Sequence, residues 1–164
     1  MGAPPPGWIK LNVDAAVAES SSALVVVARD DKGIVSKAWS KTHHPCPLIV
    51  VEANAILWAA QLTIQEGWSH IIIEGDAKRC FDPLSIEDVI PEWSIANLVY
   101  SILNLKVGFF QCFFRWVKGE SNSAAHVTAK LSLTSESFCF SKDNLPRVVH
   151  SACLGDCLSH FPFE

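Results

Sequence analysis

Apolar and polar residues alternate through Lys10-Leu11-Asn12-Val13-Asp14, the period of a strand with one face on a core. Residues 8–17 are therefore predicted as a first strand, and Ala23-Leu24-Val25-Val26-Val27-Ala28-Arg29 as a second. Between the second strand and a third over residues 34–42, Asp30-Asp31-Lys32-Gly33 reads as a hairpin turn, because Gly33 can take the positive φ such a loop needs. Pro45 and Pro47 stop the third strand. From Leu48 to Glu66 the pattern turns helical, with Gly67 as its C-cap. The run His70-Ile71-Ile72-Ile73-Glu74-Gly75-Asp76 reads as a buried fourth strand, followed by a short helix. Residues 85–93 are acidic and interrupted by proline, so a loop is expected there. Ser94 is placed to cap a helix to about Leu105, Val107 to Val117 reads as a fifth strand, and a last helix runs from Ser121 to about Leu133. Residues 135–164 are less regular, with room for one short helix after Pro146.

A three-strand antiparallel meander leading into alternating helices and strands predicts a mixed α/β sheet covered by helices. Two hairpin connections and right-handed crossovers around the first and fourth strands give five strands in the order 3-2-1-4-5, with the second antiparallel to its neighbours. No internal repeat or second domain is evident. Residues 1–7 form a Pro-rich leader, 8–134 the domain, and 135–164 a C-terminal extension either packed on the domain or partly flexible.

Composition changes this picture little. With 164 residues, 49% of them hydrophobic, the chain has ample material for one core. A net charge of −4 is poor for sequence-independent affinity to nucleic acid, which comes largely from Lys and Arg on phosphates. No apolar run is expected to span a membrane, no signal peptide opens the chain, and Pro6 stands where a myristoylation signal wants Ser or Thr. An intracellular location, nuclear or cytoplasmic, is expected. The six cysteines (46, 80, 112, 139, 153 and 157) are then expected to be reduced. His150, Cys153, Cys157 and His160 would share a helical face as a four-ligand zinc set, but their spacing matches no familiar zinc module and packing is the favoured reading.

Candidate chemistry lies in three acids. Asp14 follows the alternating strand, Asp76 ends the apolar one, and an acid just past a buried strand lies at the carboxyl edge of a sheet, where open α/β folds place their sites. Glu52 falls on a helical wheel beside Ile56, Ala59 and Thr63, the side that should face the sheet. There a carboxylate costs several kcal/mol unless paired or metal-bound. Alternatively, Glu52 is simply an acid in the first turns of the helix, set against its dipole. Three clustered acids need a cation, and all-oxygen ligands suit Mg²⁺ or Mn²⁺ rather than zinc. The order Asp, Glu, Asp along strand, helix, strand favours a shared site.

These residues sit in five segments that together carry a resemblance: Lys10 to Asp14, Ala28 to Gly33, Glu52 to Ala55, Ile73 to Asp76, and Trp116-Val117-Lys118-Gly119-Glu120-Ser121-Asn122 continuing to Lys130. From about Gly7 to Leu133 the chain resembles a ribonuclease H domain, of the type at the end of plant non-LTR retroelement reverse transcriptases. The resemblance implies an RNase H fold and hydrolysis of the RNA strand of RNA–DNA hybrids. Asp14, Glu52 and Asp76 fall on the family's metal-binding acids, so two Mg²⁺ or Mn²⁺ ions are implied, activating water and stabilising the leaving 3′-oxygen. The family's fourth acid falls on His126, which shares a helical face with Asn122, Ala129 and Leu133. A neutral imidazole there can ligate or shuttle a proton but supplies no negative charge. Asn122 is implied as a substrate contact.

The chain also departs from the family. Ala15 replaces the glycine after the first acid, residues 17–22 lack a glycine for close approach to RNA, the His-bearing loop before the last helix is missing, and acidic residues 85–93 replace a basic protrusion. A proofreading-type exonuclease is disfavoured by Ala16, and an integrase by the order of the acids. The remaining rival is a catalytically impaired module on the same fold that binds nucleic acid or a protein partner, with Trp39, Trp58, Trp68 and Trp93 as surface candidates. The sequence leaves oligomeric state open.

Overall fold

The computed structural model describes residues 3–158. Strands β1 (Ile9–Val17), β2 (Ser22–Arg29) and β3 (Val35–His43) form the antiparallel meander. Helix α1 (Leu48–Glu66) then leads to β4 (His70–Gly75). Helices α2 (Lys78–Ser85) and α3 (Ala96–Lys106) precede β5 (Gln111–Trp116), and α4 (Ser123–Ser132) follows it. Strand β6 (Phe138–Ser141) and helix α5 (Arg147–Leu158) close the described chain. The sheet order is β5-β4-β1-β2-β3-β6, with β4 parallel to both β1 and β5. The expected order 3-2-1-4-5 and the antiparallel second strand are both present.

The core follows from period-two alternation in doubly covered strands. Leu24, Val26 and Ala28 of β2 join Leu11, Val13, Ile71, Ile73, Phe114 and the α1 residues Ile56 and Ala59 in one apolar cluster. Val25 and Val27 point the other way, against Ala124, Ala125 and Ala129 of α4 and Val149 of α5. Burial on both faces explains why β2 and β4 read as continuous apolar runs. The small α4 side chains let that helix lie close on the sheet.

Four expectations need correction. The sheet has six strands, because Phe138–Ser141 pairs antiparallel with Lys37–Ser40 of β3. That strand is four residues long in a polar stretch, and its order comes from the edge hydrogen bonds of β3 and a Phe138–Phe140 ring contact at 4.4 Å. Residues 107–110 are not strand: Gly108 and Phe109 donate their N–H groups to Leu105 and Lys106, turning the chain off the end of α3 before β5 begins. Ser94 is not the cap of α3, which starts after Ile95 without a side-chain cap. Finally, α1 is long and apolar enough to cross a membrane by length and composition, with mean hydropathy 1.4. Half of that window is buried within the protein, as in a core helix. Gly67 caps α1 in the left-handed conformation, as expected.

Candidate active site

The register of β1 and β4 builds the site. Asn12 pairs with Glu74, so Asp14 and Asp76, each two residues further on, come side by side at the parallel strands' carboxyl ends. Glu52 reaches them from the second turn of α1. One carboxylate oxygen each from Asp14, Glu52 and Asp76 lies within 4.8 Å of the other two. Asp14 and Glu52 are buried and Asp76 is half-buried.

Backbone packing fixes this edge. A Cβ on Gly75 would stand 2.7 Å from the Phe81 ring, so only glycine lets α2 fold back this tightly beneath Asp76. Trp116 Nε1 donates to the Asp76 carbonyl at 3.1 Å, and the Lys78 N–H donates to the same oxygen at 2.9 Å. Beyond β5, Gly119 passes so close that a Cβ would lie 3.3 Å from Asp76 Oδ2.

Electrostatics show an acid cluster short of positive charge. Burial, then the negative Asp14 and Asp76, pushes the Glu52 carboxyl up to about 9. Burial also raises Asp14 to about 6, although the Ala15 N–H bonded to Asp14 Oδ1 at 2.8 Å and the neighbouring His126 pull it down. His126 Nδ1 lies 3.0 Å from Asp14 Oδ2, so a proton on Nδ1 is donated to the carboxylate. The His126 side chain is half exposed, leaving Nε2 directed away from that bond.

Asn122 has a different place from the substrate contact expected of it. It is fully buried; its Nδ2 donates to the Val13 carbonyl at 2.8 Å and its Oδ1 accepts from Asn12 at 3.2 Å. It therefore positions the end of β1 against α4. Asn122 stands just before α4 rather than within it, and only the three-dimensional position of β1 shows that both ends of its amide have internal partners. Among the tryptophans, Trp39 is buried against Trp68 at 6.3 Å, Trp58 and Trp68 are half-buried, and Trp93 is exposed. Cys46, Cys80, Cys112 and Cys139 are thiols. The side chain of Cys157 and all of His160 lie outside the described residues, so the tail zinc reading falls there.

Three carboxylates at the edge of a 3-2-1-4-5 sheet define the class: this is a ribonuclease H fold. RNase H1 from the halophilic archaeon Halobacterium salinarum is similar with a TM-score of 0.71 at 17% identity, over 77% of this chain and 98% of that one. The N-terminal RNase H domain of a Mycobacterium tuberculosis protein gives 0.69 at 14% identity, over 77% and 94%. LC11-RNase H1, isolated from compost and solved in complex with an RNA/DNA hybrid, gives 0.68 at 15% identity, over 77% and 96%. None of the curated proteins matches the chain. Residues 12–132 match the Reverse transcriptase-like family, and the chain belongs to it.

Proposed function

We propose that this chain is a metal-dependent ribonuclease H that hydrolyses the RNA strand of RNA–DNA hybrids. The observation that carries the reading is the convergence of Asp14, Glu52 and Asp76 within 4.8 Å. Burial raises the proton affinity of Glu52 and, to a smaller extent, Asp14, and a divalent cation would compete with those protons. The donor set is all oxygen and compact, which fits Mg²⁺ or Mn²⁺.

Asp14, Glu52 and Asp76 would hold the ions. A bound pair of such ions supplies an activated water and stabilises charge on the leaving 3′-oxygen. The chain's own residues do the rest. Trp116 and Gly119 fix Asp76 at the strand end, and Asn122 sets the distance from β1 to α4. Asp14 orients the His126 ring, whose Nε2 is then available to take or give a proton at the mouth of the site. The hybrid-bound relative supports this substrate class. The five sequence segments support an origin in plant non-LTR retroelement reverse transcriptases, and an intracellular site of action follows from that reading.

A second reading, a catalytically impaired module with a protein partner, is favoured by one observation. Ile90 and Trp93 of the acidic loop are 87% and 92% exposed, and with the exposed Ile86 and Val89 they give this loop four apolar side chains towards solvent, the kind of surface a partner covers. A hybrid-cleavage assay at low salt separates the two readings. The nuclease reading expects RNA-strand cuts that leave 5′-phosphate ends and require Mg²⁺ or Mn²⁺. No cleavage with either ion sinks it in favour of the binding module.

A further inference from the structure

The connection from β3 into α1 brings together a second donor set, of different chemistry from the acids. His43 ends β3, and His44, Pro45 and Cys46 carry the chain towards α1. One ligand atom each from His43, His44 and Cys46 lies within 4.8 Å of the other two. His43 Nδ1 and Cys46 Sγ stand 3.8 Å apart. With metal–sulfur and metal–nitrogen bonds near 2.3 and 2.05 Å, two ligands on a tetrahedral ion stand about 3.6 Å apart. The His43–Cys46 pair is thus spaced as a coordination edge, to within a few tenths of an ångström. The two imidazoles are stacked, with ring centroids 4.0 Å apart, and His43 Nδ1 lies 2.9 Å from the His44 carbonyl; sharing one tetrahedral ion requires the rings to turn out of this stack.

The segment is held rather than loose. Ser22, buried in β2 opposite His43, has its Oγ 3.1 Å from the His43 carbonyl and 2.8 Å from the His44 carbonyl, in position to donate to either. Pro45 and Pro47 fix φ on both sides of Cys46. Such restraint lowers the entropy a bound ion would otherwise have to overcome in ordering its ligands.

Two imidazoles and a thiolate are borderline-to-soft ligands, the set that takes zinc and leaves Mg²⁺ and Mn²⁺ to oxygen donors. We propose that His43, His44 and Cys46 form a site for a zinc-class transition metal at the junction of β3 and α1, separate from the acidic site. Three protein ligands leave the fourth tetrahedral position to water or another ligand. Bound there, the ion ties the end of β3 to the entry of α1, the helix that carries Glu52.

Titrating Co²⁺ into the reduced full chain, with Mg²⁺ in excess, reads the site through the near-ultraviolet thiolate-to-cobalt charge-transfer band. A band saturating at one equivalent is expected, bleached by added Zn²⁺, lost in Cys46→Ser and kept in Cys139→Ser, which removes an exposed thiol elsewhere. His44→Ala changes an exposed side chain that folding does not need, and should weaken Co²⁺ binding by at least about tenfold, since losing even an outer-shell partner costs that much. The proposal is overturned by no band in the unmodified chain, by a band that survives Cys46→Ser, or by unchanged affinity in His44→Ala.

Discussion

Two groups of acid near the carboxyl ends of the parallel strands β1 and β4 are treated in opposite ways. Glu74 is 2% exposed, with Lys10 of β1 at 3.5 Å and Arg115 of β5 at 3.3 Å. Two residues further along, Asp76 joins Asp14 and Glu52 in a cluster whose described ion pair is to His126, a residue that is positive only when protonated. Glu74 is neutralised by the protein's own cations. The three site acids are instead held near one another with their protons retained on Glu52 and, in part, on Asp14. A buried charge with cations on both sides is structural; acids that must share protons are arranged for a charge not supplied by the fold.

The largest test of this contrast is Asp14→Asn. Removing a ligand oxygen from the cluster should reduce hybrid cleavage by about a hundredfold or more, given that outer-shell partners alone cost 10- to 100-fold. Its folding stability should be held or raised, because the change relieves repulsion. Steady-state cleavage and urea unfolding on the same preparation check both halves.

Glu74→Gln should behave in the reverse sense. It leaves the half-buried Lys10 facing a neutral group, and should destabilise the fold by about 2–3 kcal/mol, short of the 3–5 of a fully enclosed pair because Lys10 and Arg115 both reach solvent. Divalent-ion affinity should stay unchanged. An equal stability loss from Asp14→Asn and Glu74→Gln would erase the distinction between the two regions.

A pH series sharpens it further. Glu52 rises from an ordinary 4.5 to about 9 and Asp14 from 3.8 to about 6, so the folded chain binds these protons more tightly than the unfolded chain does. Without divalent ions their contribution to stability is complete below the ordinary values and is lost as pH rises through about 6 and then about 9. Urea midpoints should fall across that window, and Glu52→Gln should flatten the fall. Affinity for Mn²⁺ should climb over the same range, since the ion must displace those protons.

The smallest effects are expected at the rim. His126 is half exposed and bonded to only one acid, so His126→Ala should lower cleavage by about tenfold, less than the roughly 100-fold or more of a fully engaged general acid or base. His126→Asp adds the missing negative charge and should tighten Mg²⁺ several-fold in a calorimetric titration.

Much of this arrangement was legible in the sequence, for local reasons. Alternation through Lys10 to Asp14 and the isoleucine run before Asp76 declare two strands whose ends carry acids, and the wheel position of Glu52 turns it inwards. What sets Glu74 apart from Asp76 was not legible, because both acids stand in one short motif and the cations that neutralise Glu74 lie 64 and 41 residues away in the chain. The burial of Asn122 is non-local in the same way, since its partners are in β1. Strand β6 depends on pairing with the distant edge of β3, and the burial of Trp39 depends on Trp68 packing against it.

The central claim is that Asp14, Glu52 and Asp76 are built for a hard divalent cation, and Mn²⁺ binding followed by electron paramagnetic resonance tests it most directly. The signal of free Mn²⁺ should be lost on adding the full chain at pH 8, return in Asp14→Asn, and stay lost in Glu74→Gln. Free Mn²⁺ left undiminished by the unmodified chain, or bound equally well by Asp14→Asn, would contradict the account.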